Sequence, residues 1–94
     1  MKMVYKYEEQ RADIFTERGV KLLLKIYDNA KRMIKYSGAV MMSHLMEDCT
    51  GNSWLMMACV DYLVEQERLY ELTKDGTMGQ YRTFTKNLAD LVGA

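Results

Sequence analysis

The side chains able to do covalent or metal chemistry are few and badly spaced for it. His44 is the only histidine, and Cys49 and Cys59 form no CxxC pair, so no zinc-ligand spacing is present. Glu47 and Asp48 are neighbours, and on a helix neighbours diverge by about 100° instead of sharing a site. No Ser/His/Asp set, phosphate-binding glycine loop or carboxylate pair with a matching base stands out. The chain is therefore expected not to be an enzyme, and neither a metal nor a cofactor is expected. Two cysteines are too few for a disulfide scaffold, so both are expected as free thiols in a reduced, cytoplasmic setting.

Composition limits what can position any site. Ninety-four residues allow one compact unit, and 49% hydrophobic against 28% charged residues is globular rather than disordered usage. Lys21, Lys25, Asp28 and Lys31 interrupt the longest apolar candidate, Val20 to Ile34, well short of the roughly 18 to 20 residues that cross a bilayer. No membrane partner is expected. Thirteen basic and thirteen acidic side chains cancel, but they are segregated: residues 1–37 carry +4, residues 38–72 carry −5 and residues 73–94 carry +1.

With no proline, glycines punctuate the chain. From Thr16 to Ser37, Val20, Leu23, Tyr27, Ala30 and Ile34 recur at helical spacing, with Lys21, Lys25, Asp28, Lys31, Arg32 and Lys35 opposite. Thr16 is expected to cap this helix, Phe15 to pack back as a staple and Gly38 to end it; Gly19 weakens only the first turn. Ala39 to Met42 reads as a short extended piece, and Ser43 as the cap of a short helix reaching Cys49. A third helix opens at Asn52 or Ser53 and runs to about Gln66, with Leu55, Met56, Cys59, Val60 and Leu63 as its apolar side. Arg68 to Thr73 and Gln80 to Lys86 alternate around a turn-rich Lys74 to Gly79, the signature of a hairpin. Asn87 to Val92 reads as a final helical turn. Residues 1–10 leave strand, helix extension and ordering on dimerisation open.

This order, and most specifically TGNSWLMMACVDYLVEQERLYELTKDGTMGQYRTFTK at residues 50–86, resembles a winged helix-turn-helix domain. Leu63 to Leu69 follows the family's Leu-x-x-x-Gly-x-Leu pattern, except that Glu67 stands where the family has Gly. A positive φ there would cost Glu more than Gly. The resemblance implies a mainly α fold with a small β-hairpin, a three-helix core plus a two- or three-stranded wing sheet. Residues 1–15 would be a separate N-terminal segment, a candidate for dimerisation, and residues 16–94 the winged helix domain.

The function implied by the resemblance is that of a small DNA-binding regulator of transcription, acting as a homodimer on double-stranded DNA. Carried over, it places Asn52, Ser53, Trp54, Met57, Ala58 and Asp61 on the outward face of the recognition helix. Lys74, Gln80, Arg82 and Lys86 of the wing would hold phosphates, helped by Lys31, Arg32 and Lys35. That outward face has no cation, and Asp61 would repel DNA. The alternative is therefore a winged helix used for protein contacts, with Trp54 and Met57, near Tyr62, as the patch for a partner or second copy. Dimerisation is assigned to the first helix and to Met3, Val4, Tyr5 and Tyr7, which have no evident place in a three-helix core. The nine methionines and seven tyrosines read as core filler and core rim, the tyrosine hydroxyls in water, with one of each adjacent pair Met41/Met42 and Met56/Met57 turned outward.

Overall fold

The structure, a computed structural model, describes residues 4–74 and 76–86. Those residues form a mainly helical unit with a small antiparallel sheet. Helix α1 (Tyr7–Gln10) runs into a 3-10 turn at Arg11–Phe15 and then α2 (Glu17–Ser37). Strand β1 (Val40–Met41) leads directly into α3 (Met42–Leu45), followed by α4 (Ser53–Glu65). Strands β2 (Leu69–Glu71) and β3 (Thr83–Lys86) follow, with a 3-10 turn at Gly79–Tyr81 between them. The sheet order is β1-β3-β2, with Val40 opposite Phe84 and Leu69 opposite Lys86. The last helical turn expected at Asn87 to Val92 lies outside the described residues.

Local chemistry sets the ends of α2. The Thr16 hydroxyl accepts from the Gly19 amide at 3.0 Å, and Gly38, at φ 82°, donates its amide to the Ile34 carbonyl. The buried stripe, however, is Gly19, Ile26, Asn29, Ala30 and Ile34, so Val20 is turned out and Leu23 and Tyr27 are only half-buried. Gly19 is the reason. A Cβ there would lie 2.1 Å from the Asp13 carbonyl oxygen, so only glycine lets α2 close on the preceding turn. Asn29 completes the inward stripe by donating to the Leu45 and Glu47 carbonyls, at 3.3 and 3.4 Å. Phe15 is 55% exposed and meets Tyr62 edge-on.

The short helix begins one residue before the expected Ser43 cap. The Met42 amide donates to the Arg82 carbonyl at 2.7 Å, which fixes the point where strand gives way to helix, and Ser43 lies exposed inside the helix. The helix ends at Leu45 rather than Cys49, and Asp48 takes a left-handed φ of 62°. The expected second hairpin strand is likewise shorter, because Gly79–Tyr81 coils before Thr83 joins the sheet.

The core lies between α2, α4 and the inner sheet face. Ile14, Ile26, Ala30, Met42, Leu45 and Phe84 are fully buried, as are Ala58, Cys59 and Val60 of α4. Burying a side chain the size of Phe84 contributes about 2 kcal/mol. Met42 and Met56 are buried while Met41 and Met57 are half-buried, so the outward member of each methionine pair is partly covered. Glu67 adopts φ 60°, and the Arg68 amide donates to the Leu63 carbonyl at 2.8 Å, closing α4 into β2. No helix among the described residues is long and apolar enough to cross a membrane.

Candidate functional site

Asn52, Ser53, Trp54, Met57 and Asp61 were expected to share one outward face of α4. Asn52 and Ser53 are exposed, and the Asn52 side chain caps α4 by accepting from the Trp54 amide at 2.8 Å. The rest of that face is covered. Ala58 is fully buried, Trp54 is half-buried with its ring edge-on to Tyr5 at 6.4 Å, and the Met57 methyl packs over Gly79. Ser53 and Glu65 are the only exposed residues of α4. Its other residues are buried or half-buried, against the core, the segment that precedes α2, Gly79 or Arg82.

That covering segment gives Tyr5 and Tyr7 the place against the helical core that the sequence did not show. The Tyr5 hydroxyl donates to Asp61 at 2.6 Å and the Tyr7 hydroxyl to Glu65 at 2.7 Å, so both side chains have partners within the chain. Neither hydroxyl is simply in water. Arg11 adds an ion pair to Glu65 at 3.0 Å and stands over the Phe15 and Tyr62 rings. Burial, then the hydrogen bond to Glu65, pushes the Tyr7 hydroxyl from 10.0 up to about 12. Burial beside Asp61 raises the Tyr5 hydroxyl further still. Hydrogen bonds from Tyr7 and Arg11 hold the Glu65 carboxyl below its ordinary range. Contacts between positions 56 and 58 apart leave no local pattern, which is why the sequence alone gives these two tyrosines no evident place in the core.

Arg82 is placed differently from the other wing cations. Expected to reach phosphates, it is only 17% exposed and points inward. Its guanidinium makes hydrogen bonds of 2.9 and 2.8 Å to the two Glu71 oxygens and of 2.6 Å to Asp61, a bidentate clamp joining β2, β3 and α4. Arg82 is shared between Asp61 and Glu71, so the trio keeps a net negative charge and offers no cation to a phosphate. The hydrogen bonds from Arg82 hold the Glu71 carboxyl below 4.5, and the same partners raise Arg82 itself.

Lys74 and Gln80 are exposed on the β2–β3 connection, whereas Lys86 is exposed at the far end of β3. They do not form one patch, because the strand carries Lys86 away from the connection. Lys86 instead meets Lys31 and Lys35 of α2, and Arg68 completes the group around a cleft of about 440 Å³. Arg32 turns elsewhere, to Asn29 at 2.9 Å and Asp28 at 3.5 Å. Arg18, Lys21 and Lys25, none of them expected at a site, line a second groove with Asp48 that reaches Thr50 and Asn52 at the start of α4. The helical spacing of those three cations along α2 was the available signal.

Cys49 and Cys59 are both free, and burial pushes the Cys59 thiol up to about 12. Among the described residues, no three His, Cys, Asp or Glu side chains come together as a metal site. No protein-family model, curated protein or solved structure matches the chain.

Proposed function

We propose that the chain is a winged helix-type domain that works through protein contacts and does not read base edges with α4. The sheet order β1-β3-β2 around three sequential helices supports the fold half of this reading, as does the left-handed Glu67 at the position where the family has glycine. The observation that carries the functional half is the covering of α4. A reading helix must present side chains to a groove about 12 Å wide, and here the Tyr5–Phe15 segment and Arg82 already occupy that side. Among the apolar side chains left open, Phe15, Val20 and Leu24, at 55%, 41% and 61% exposure, lie together at the start of α2 and replace Trp54 and Met57 as the patch for a partner. Val20 and Leu24 stand one turn apart on α2 and would meet the same pair of a second copy across a two-fold axis.

Light scattering of the full chain and of Leu24→Glu tests this, with DNA binding followed by fluorescence anisotropy on duplex DNA across a salt series. The expected result is a dimer that Leu24→Glu converts to monomer, and no sequence preference on DNA. A monomeric wild-type chain, or a preference among duplexes that changes on replacing Asn52 and Ser53, would sink the proposal. One observation favours a DNA-binding regulator as the second reading: Arg18, Lys21 and Lys25 flank Asn52 at the open end of α4, where cations could hold phosphates.

A further inference from the structure

The far end of the sheet gathers Lys86, Lys31 and Lys35, which the family resemblance gives to DNA phosphates, around a cleft that neither proposed reading requires. Lys31 and Lys35 stand one turn apart on α2, and the pairing of Leu69 with Lys86 brings Arg68, just before β2, and Lys86, the last residue of β3, to the same cleft. Four cations from three elements thus surround one cleft of about 440 Å³, within the range of small-molecule sites. Among the described residues none of the four has a carboxylate partner, in contrast to Arg11, Arg32 and Arg82. The floor is apolar, made by Ile34 and Leu69 at 5% and 4% exposure. Tyr27 forms one wall, and the Lys31 ammonium lies 4.6 Å from its ring centre, which holds that cation at the rim.

We propose that this cleft binds a small organic anion: a multiply charged head, such as a phosphate monoester, on a flat apolar body. The head would be met by Lys31, Lys35, Arg68 and Lys86, and the body would lie on Ile34, Leu69 and the Tyr27 ring. Convergent cations without acids repel one another, and an anion between them relieves that repulsion while the floor gains apolar cover. A duplex is the poorer fit. Its phosphates lie on a rigid cylinder that would meet the rim and leave the floor open.

The test is an NMR titration of the full chain with 1-naphthyl phosphate, using inorganic phosphate and 1-naphthol as separate controls. The amides of Ile34, Leu69 and Lys86 are expected to shift and saturate with naphthyl phosphate. Each control should bind at least about tenfold more weakly, since each satisfies only one half of the site. The double variant Lys31→Gln/Lys86→Gln, at exposed positions, should keep the fold's spectrum and weaken naphthyl phosphate by about tenfold or more. Three outcomes would each overturn the proposal. They are no saturable shift with naphthyl phosphate, affinity unchanged in the double variant, and duplex DNA shifting the same amides with equal or greater affinity.

Discussion

Two groups of charges sit at opposite ends of β3 and are treated in opposite ways. Around Asp61, Glu65, Glu71, Arg11 and Arg82, every charge has a partner within the chain, at distances from 2.6 to 3.0 Å. Around Lys31, Lys35, Arg68 and Lys86, four like charges meet with no acid among the described residues. The first group spends its electrostatics on holding the N-terminal segment and the sheet against α4. The second leaves its electrostatics to something outside the fold. Sign and number of charges alone do not distinguish the two, and the partners do.

The sharpest way to break the contrast is to remove the centre of the paired group. Arg82→Met should cost about 3 kcal/mol of stability by leaving Asp61 and Glu71 partly buried without their cation. Urea unfolding followed by circular dichroism measures it, and Arg82→Lys should recover only part, since a point charge cannot reproduce the bidentate fork. A loss below about 0.5 kcal/mol, the scatter of ordinary surface changes, would show the clamp to be incidental. Tyr5→Phe should cost less, about 1 kcal/mol, because it removes one hydrogen bond to Asp61 and leaves the ring on Trp54 in place. If Tyr5→Phe is neutral, the segment is held by its apolar contacts alone.

Titration sharpens the same comparison. Glu65 and Glu71 have folded values below the ordinary 4.5, so their stabilisation is complete above that value and is lost as pH falls through the folded values. Tyr7 moves the other way, from 10.0 to about 12, so its contribution is complete below 10.0 and is lost as pH rises toward 12. Cys59, raised from 9.0 to about 12, adds to the alkaline loss in the same manner. Melting temperature measured against pH should therefore fall at both ends, and Tyr7→Phe should flatten the alkaline side. An alkaline limb identical in Tyr7→Phe would assign that loss elsewhere.

The smallest effect on stability belongs to the unpaired group. Lys31→Gln and Lys86→Gln should each change stability by less than about 0.5 kcal/mol, with any gain coming from relieved repulsion. Urea unfolding again decides it. A loss of 1 kcal/mol or more, well outside about that range, would mean that these lysines hold the fold together and the contrast between the groups is false.

What the sequence determined by itself is local. The Thr16 and Asn52 caps, the Gly38 stop, the apolar side of α4 and the two strands after Glu67 all follow from spacing within a few residues. Periodicity also placed the charged side of α2 correctly, since Lys21, Lys25, Asp28, Lys31, Arg32 and Lys35 are all exposed. It erred over Val20 and gave no sign of Asn29, because the inward stripe is set by a glycine fitting against backbone and by an amide satisfied by distant carbonyls. Tertiary structure alone decided the fate of the candidate site. Whether the outer side of α4 is open depends on where Tyr5, Tyr7 and Arg11 come to rest, and their partners lie more than fifty positions away. Arg82 and Lys86 are both cations in one short strand region, yet one closes on Glu71 and Asp61 while the other faces a cleft. Residue type fixes which charge a side chain carries, but only the packed chain fixes whether that charge already has a partner.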